Sequence, residues 1–383
     1  MNFDLTDDQT LLRNTLERYL HDCYSTENRR GIVAGNAGWS SEHWLAFADT
    51  LGILGLASNI DGMDDYAVES MIVMEAFGEA LVVEPFLETI VIGAGFLKRK
   101  TSSRSKLLLA DIAAGRARFA FACGEPQSRY ALNRVSTVAC RDGNAWRISG
   151  MKNVVYAAPS ATHMIVSART HGESHDSDGI SLFLVEADAA GLKMYPYKTI
   201  DERCAADVQF EDVQVSEDAL IGESGEALPL IELVMDEATA ALCAEATGAM
   251  RRLLTYTIEY TQQRRQFGQP ISQFQALQHR MADMHMALER SRSAVLLAIL
   301  KLKQSPIERA LSVSAAKATI DECGRFIGQS AIQLHGGMGM TQDLAVGAYF
   351  KRLTVIGNQF GTIDYHMDRY ARLSRTQVDN KLQ

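Results

Sequence analysis

The chain has no CxxC pair, no excess of basic charge and no long apolar run, and each absence closes off a class of function. Its six cysteines, at positions 23, 123, 140, 204, 243 and 323 of 383, are scattered. That pattern favours reduced thiols over a disulfide framework or a zinc site. Lys and Arg number 38 against 47 Asp and Glu, a formal charge of −9. Nucleic acid and membrane are therefore not expected as partners, since both call for a basic face. The apolar run Ala294–Leu300 is far shorter than a bilayer span. Met1-Asn2-Phe3-Asp4-Leu5 offers no basic segment ahead of an apolar core, so a cytoplasmic rather than secreted protein is expected. No internal repeat or low-complexity tract is evident.

With 47% hydrophobic and 22% charged residues, the composition is that of an ordinary globular protein, and the length predicts two or three domains. Thr6-Asp7-Asp8-Gln9 has capping-box spacing, and Leu12, Leu16, Tyr19 and Leu20 follow at helical intervals. Further helices are expected over 41–51, 67–80 and 106–114. From Arg118 the texture changes to short β-type runs: 119–122, 136–139, 146–148, 154–156, 164–168, 181–185 and 207–210. Arg141-Asp142-Gly143-Asn144 reads as a hairpin turn between two of them. Helical periodicity resumes near Leu228. One face runs through Leu242, Ala246, Ala249, Leu253, Tyr256 and Tyr260, and another through Leu277, Met281, Met284, Leu288 and Val295. A third runs through Leu311, Ala315, Ala318 and Phe326, and a fourth through Tyr349, Leu353 and Ile356. Four such helices in succession predict a bundle.

Two segments could carry chemistry. In Arg264-Arg265-Gln266-Phe267-Gly268-Gln269-Pro270-Ile271, paired arginines at a helix end could grip a pyrophosphate. Basic residues that merely complement a helix C-terminus would look the same. In Gln333-Leu334-His335-Gly336-Gly337-Met338-Gly339-Met340-Thr341, three glycines in four residues allow close backbone approach to a ligand. A plain helix-ending turn reads alike, and the spacing is not that of the dinucleotide fingerprint. His335 reads more simply as a structural histidine than as a base.

Together with the Phe3-Asp4-Leu5-Thr6 opening and Glu125-Pro126, these two motifs at this separation resemble the acyl-CoA dehydrogenase family over essentially the whole chain. The likeness is greatest to its two-component bacterial members and the small subunit of pimeloyl-CoA dehydrogenase. The resemblance implies a mostly α, α+β fold: an N-terminal helical domain (1–117), a middle antiparallel β-barrel domain (118–226) and a C-terminal four-helix bundle (227–383). It implies FAD, an acyl-CoA substrate, an electron-transfer flavoprotein or equivalent acceptor, and a homo- or hetero-oligomer, dimer or tetramer. Carried over by position, Arg264 would contact the FAD pyrophosphate, Phe267 would pack on the cofactor and Gln275 would add a second contact. Gln333, Gly336 and Gly337 would reach the FAD of a neighbouring subunit, and Thr362 would reach FAD as well. Phe121, Cys123 and Gly124, with Val154 and Tyr156, would form the two strands beside the isoalloxazine ring.

The departures from the family pattern concern the base that removes the α-proton. One branch places a glutamate where Gln359-Phe360-Gly361-Thr362 puts Phe360, which cannot take a proton. The other branch's position is Ala238. Glu237 is one residue away, a step of about 100° around a helix, and is the candidate base of the chain itself. Asp236 and Glu245 are weaker candidates. Val154 replaces a tryptophan that shields the flavin, and Glu125-Pro126-Gln127-Ser128 replaces a glycine-rich loop. Three readings follow: an enzyme with an offset base, a partner subunit whose neighbour supplies the glutamate, or a non-enzymatic flavin- or CoA-binding scaffold. The widened pocket favours dicarboxylic, branched or steroid-like acyl groups.

Overall fold

The first helix starts where the Thr6–Gln9 spacing places it. In α1 (Asp7–Cys23) the Thr6 hydroxyl accepts from the Gln9 amide at 3.2 Å, and Gln9 Oε1 accepts from the Thr6 amide at 3.1 Å. Two donors that a helix start leaves orphaned are thereby satisfied. The computed structural model describes residues 4–58, 66–99 and 102–382; Phe3 of the opening motif lies outside them. Helices α2 (Thr26–Ala34), α3 (Ser41–Asp49), α4 (Tyr66–Ala80), α5 (Ala94–Lys98) and α6 (Ser103–Ala113) precede the first strand. A buried π-helical turn, Leu87–Gly93, leads into α5. Residues 1–30, 67–82 and 239–383 form one compact unit, and 31–66 with 83–238 form the other. Among the described residues no helix is long and apolar enough to cross a membrane.

In the second unit, β1 (Phe119–Ala122), β2 (Val138–Asp142), β3 (Ala145–Tyr156), β4 (His163–Arg169), β5 (Ile180–Glu186), β6 (Leu192–Lys198), β7 (Cys204–Ser216) and β8 (Leu220–Ile221) make one eight-stranded sheet. Its order is β6-β7-β3-β2-β4-β5-β8, with β1 beside β4. Among the described residues the ends of this path do not pair, so the expected closed antiparallel barrel is corrected to an open sheet. Two features keep it open: β8 is only two residues long, and β6 is an edge strand with exposed Tyr195 and Tyr197. The sheet is also mixed, because β4 pairs in parallel with β1 and β2. Periodicity cannot report strand direction, and the chain between β1 and β4 contains the β2–β3 hairpin, long enough for a parallel return. The runs 146–148 and 154–156, expected as separate strands, are the two ends of β3.

In the first unit, α7 (Leu228–Gln263, from Thr239 onward), α8 (Gln275–Lys301), α9 (Pro306–His335), α10 (Val346–Asn358) and α11 (Ile363–Leu382) give five helices where four were expected. α9 packs against α8, α10 and α11. Its central place explains why it buries Val313, Lys317, Ile320, Cys323 and Ile327, while Phe326 of the expected apolar face is 39% exposed. α4 and α7 meet backbone to backbone. An ideal Cβ on Gly78 would stand 1.8 Å from the Glu245 carbonyl oxygen, and one on Gly248 1.8 Å from that of Glu75. Only glycine fits at such a crossing.

Candidate cofactor site

α7 ends in a two-residue hairpin. β9 (Arg265–Gln266) pairs with β10 (Gln269–Pro270), and the residues between them, Phe267 at φ 55° and Gly268 at φ 81°, are both left-handed. This is a type I′ turn, which ordinarily takes Asn-Gly. Phenylalanine at its first position costs about 1–2 kcal/mol of backbone strain. That strain yields no core contact, because the Phe267 side chain is 89% exposed. Arg264 and Gln275 flank the turn and are also exposed. The Arg264 backbone is fixed on both sides: its amide donates to the Tyr260 carbonyl and its carbonyl accepts from the Ile271 amide, both at 2.8 Å. Among the described residues its guanidinium has no protein partner.

One turn before Arg264, the Tyr260 ring stacks on His335 with centroids 4.3 Å apart, and its hydroxyl donates to the His335 carbonyl at 3.3 Å. The arginine corner and the glycine turn therefore share one end of this unit. His335 is structural: Nδ1 lies 2.8 Å from the Ala331 carbonyl oxygen, and burial pushes its pKa down. Gln333, Gly336 and Gly337 are exposed. A Cβ on either of these two glycines would meet nothing within 4 Å, so no crowding inside this chain requires their smallness.

The segment between α10 and α11 is held from beneath. Lys317 Nζ donates to the carbonyls of Gly361 at 2.7 Å and Gly357 at 3.3 Å. His366 Nε2 lies 3.1 Å from the Phe360 carbonyl oxygen, and the Ile363 amide donates to Asp321 at 3.1 Å. Phe360 has φ 61°, and Thr362 is half-buried. Burial lowers the Lys317 pKa; burial, with Lys317 adding, pushes His366 down to about 3, so His366 is a neutral donor here. Neither Phe360 nor the fully buried Ala238 can titrate. Glu245 is buried in a bidentate pair with Arg352, both contacts at 2.7 Å. Asp236 is buried as well.

In the second unit, Glu237 is gripped by Arg99 through two contacts, 2.6 Å from Nη2 and 3.2 Å from Nη1. Beside it, Lys98 donates to the Leu56 carbonyl at 2.7 Å and lies 4.0 Å from the Tyr66 ring centroid. Burial pushes Lys98 down to about 8, with Glu237 opposing the shift. Phe121 is buried on β1, its ring 4.9 Å from that of Phe96. The Asn153 amide donates to the Gly124 carbonyl at 2.8 Å, which joins the Cys123–Gly124 segment to the one holding Val154 and Tyr156. Val154 is 48% exposed, and burial pushes the Cys123 thiol up to about 11.

Two family models match this chain: the acyl-CoA dehydrogenase middle domain over residues 120–213 and the acyl-CoA dehydrogenase C-terminal domain over 228–374, together more than half of it. The chain belongs to the acyl-CoA dehydrogenase family. It is 29% identical over 266 residues to the short-chain specific acyl-CoA dehydrogenase of Bos taurus mitochondria, a match that spans 68% of this chain and 64% of that protein. Among solved structures, the Tcur3481–Tcur3483 steroid ACAD variant is 26% identical with a TM-score of 0.87, over 97% of this chain and 99% of that one. The ChsE4–ChsE5 complex from Mycobacterium tuberculosis is 25% identical with a TM-score of 0.86, over 97% and 98%.

FAD is the cofactor of acyl-CoA dehydrogenases, and the residues present suit it. A strained, solvent-facing Phe267 offers an aromatic ring, Arg264 a guanidinium with no protein partner among the described residues, and Gly336 and Gly337 an uncrowded stretch of backbone, although the Gly336 amide already donates to the Gln333 carbonyl. Glu125, in contrast, is structural in this chain. It accepts from the amides of Ser136 at 2.7 Å and Thr137 at 2.9 Å and pairs with buried Lys152 at 2.8 Å. Burial alone would raise its pKa, but Lys152 and the two amides hold it below the ordinary 4.5. Its stabilising contribution is therefore complete above the unfolded value and is lost as pH falls through the folded one. Denaturant titrations should show stability falling with pH below about 4.5, and Glu125→Gln should flatten that acid limb. An unchanged limb would refute the assignment.

Proposed function

We propose that this chain is a subunit of a FAD-dependent acyl-CoA dehydrogenase that introduces an α,β double bond into an acyl-CoA thioester, and that a partner subunit supplies the base. One observation carries the second clause. Both base positions hold residues without a titratable group, and of the candidate carboxylates Glu237 and Glu245 are each locked to an arginine and Asp236 is buried. A carboxylate held in this way must leave its arginine before it can reach a substrate proton.

Arg264 would neutralise the pyrophosphate, Phe267 would cover an aromatic face, and Gln275, Gln333, Gly336, Gly337 and Thr362 would give polar and backbone contacts. Phe121, Cys123, Gly124, Val154 and Tyr156 would flank the ring system. Bound FAD supplies the hydride acceptor. The small Val154 supports a wide acyl group, dicarboxylic, branched or steroid-like, and similarity to a steroid ACAD supports the last. Similarity to the ChsE4–ChsE5 complex supports a heteromer. An electron-transfer flavoprotein or equivalent would take up the electrons.

The second reading makes Glu237 the base of a self-sufficient homo-oligomer, which requires Arg99 to release it. Anaerobic titration with a panel of acyl-CoAs separates the readings. Yellow protein should bleach only when co-purified with a homologous partner, and Glu237→Gln should leave that turnover nearly intact. If Glu237 is the base, the variant loses about 100-fold or more. A chain that stays colourless in both preparations and ignores acyl-CoA would instead be a scaffold.

A further inference from the structure

β3 and β7 fall out of step between Ile148 and Gly150 and again after Lys152. Lys152 pairs with Val208 and Val155 with Ala206, so Asn153 and Val154 together oppose the single residue Asp207. This is a β-bulge, in which the ladder bonds are interrupted. Val154 sits there at φ 52°, a region that a β-branched residue rarely adopts. Something must hold it, and one carboxylate does so. Asp207 Oδ1 accepts from the Val154 amide and from the Tyr197 hydroxyl, each at 3.0 Å, and Oδ2 lies 3.4 Å from Asn153 Nδ2.

Asn153 then points its own amide the other way, into the 2.8 Å bond with the Gly124 carbonyl. The approach is close: a Cβ on Gly124 would stand 3.0 Å from the Asn153 carbonyl oxygen. The residues fixed by this chain of contacts are Gly124 on one segment and Val154 on the other, with Tyr156 two residues on. These are the residues read above as flanking the flavin.

We infer that Asp207 is a positioning residue for the flavin-side surface: by holding Val154 in its left-handed conformation it sets the spacing between the Cys123–Gly124 and Val154–Tyr156 segments. The inference rests on the proposed role of those segments. A charged acceptor suits the task, because its bond to a backbone amide is stronger than a neutral one. Asp207→Asn keeps an oxygen for the Val154 amide, whereas Asp207→Ala keeps none.

The test uses the full chain, with its partner where FAD retention needs one, and reads FAD affinity together with deuterium exchange of the 150–157 amides in the FAD-free protein. Asp207→Ala should weaken FAD binding about tenfold or more and expose the Val154 amide to exchange, while Asp207→Asn stays within about threefold. Adding Val154→Gly to Asp207→Ala should recover most of the loss, because glycine takes a positive φ without a clamp. This double variant also serves if Asp207→Ala alone does not fold. Wild-type affinity in Asp207→Ala, or equal loss in the Ala and Asn variants, would overturn the inference. If the parent chain binds no FAD in either preparation, the underlying functional reading fails instead, and the exchange data alone decide whether Asp207 holds the bulge.

Discussion

Glu245→Ala is expected to lower the stability and yield of folded protein sharply, whereas Glu245→Leu combined with Arg352→Met should restore them. Arg352 is 2% exposed and Glu245 fully buried, and their two 2.7 Å contacts share one desolvated site. Removing the carboxylate leaves a guanidinium buried without its counter-charge, at a cost of about 3–5 kcal/mol. That is a large part of the total stability of an ordinary domain, about 5–15 kcal/mol. Replacing both partners with apolar residues of similar volume removes the desolvation penalty along with the attraction, so the double variant should lie within about 2 kcal/mol of the parent. Soluble yield and urea unfolding measure both. A Glu245→Ala protein with an unshifted midpoint would show that the pair is not a stabilising element.

The fold was legible where local rules and burial agree. The Thr6 capping box, the α3, α4 and α6 helices and β1 all appear where spacing placed them. The turn after Asp142 does too, because a hairpin between two apolar runs needs only local chemistry. β6 was missed because Leu192–Lys198 is a mostly exposed edge strand carrying Pro196, with neither alternation nor an apolar run to read. Phe326 was misplaced on the expected face of α9 for the opposite reason: a helix packed against three others has no single apolar stripe.

The candidate site divides along the same line. Arg264, Phe267 and the glycine turn could be proposed from motif alone. Lys317, Arg352 and Asp207 could not, because each acts by a contact with a residue distant in sequence. Glu237 stood one helical step of about 100° from the base position, and nothing in its surroundings in sequence announces Arg99, 138 positions earlier.

Phe360→Glu is expected to give the isolated chain a turnover of acyl-CoA at least about 100-fold above the parent, within the range that a positioned general base contributes. The backbone at this position is fixed through carbonyls rather than through the side chain: His366 binds that of Phe360, and Lys317 those of Gly357 and Gly361. A new side chain therefore inherits the existing direction, and its positive φ costs a glutamate no more than a phenylalanine. Lost burial of a half-buried ring should cost about 1–2 kcal/mol, which the fold can bear. Because the base acts ionised, the gained activity should rise with pH as that carboxylate loses its proton. Phe360→Gln has the same shape without the base and should gain nothing. If the two variants turn over alike while both hold FAD, position 360 does not face the acyl α-carbon in this chain, and the base must be sought in the partner from another direction.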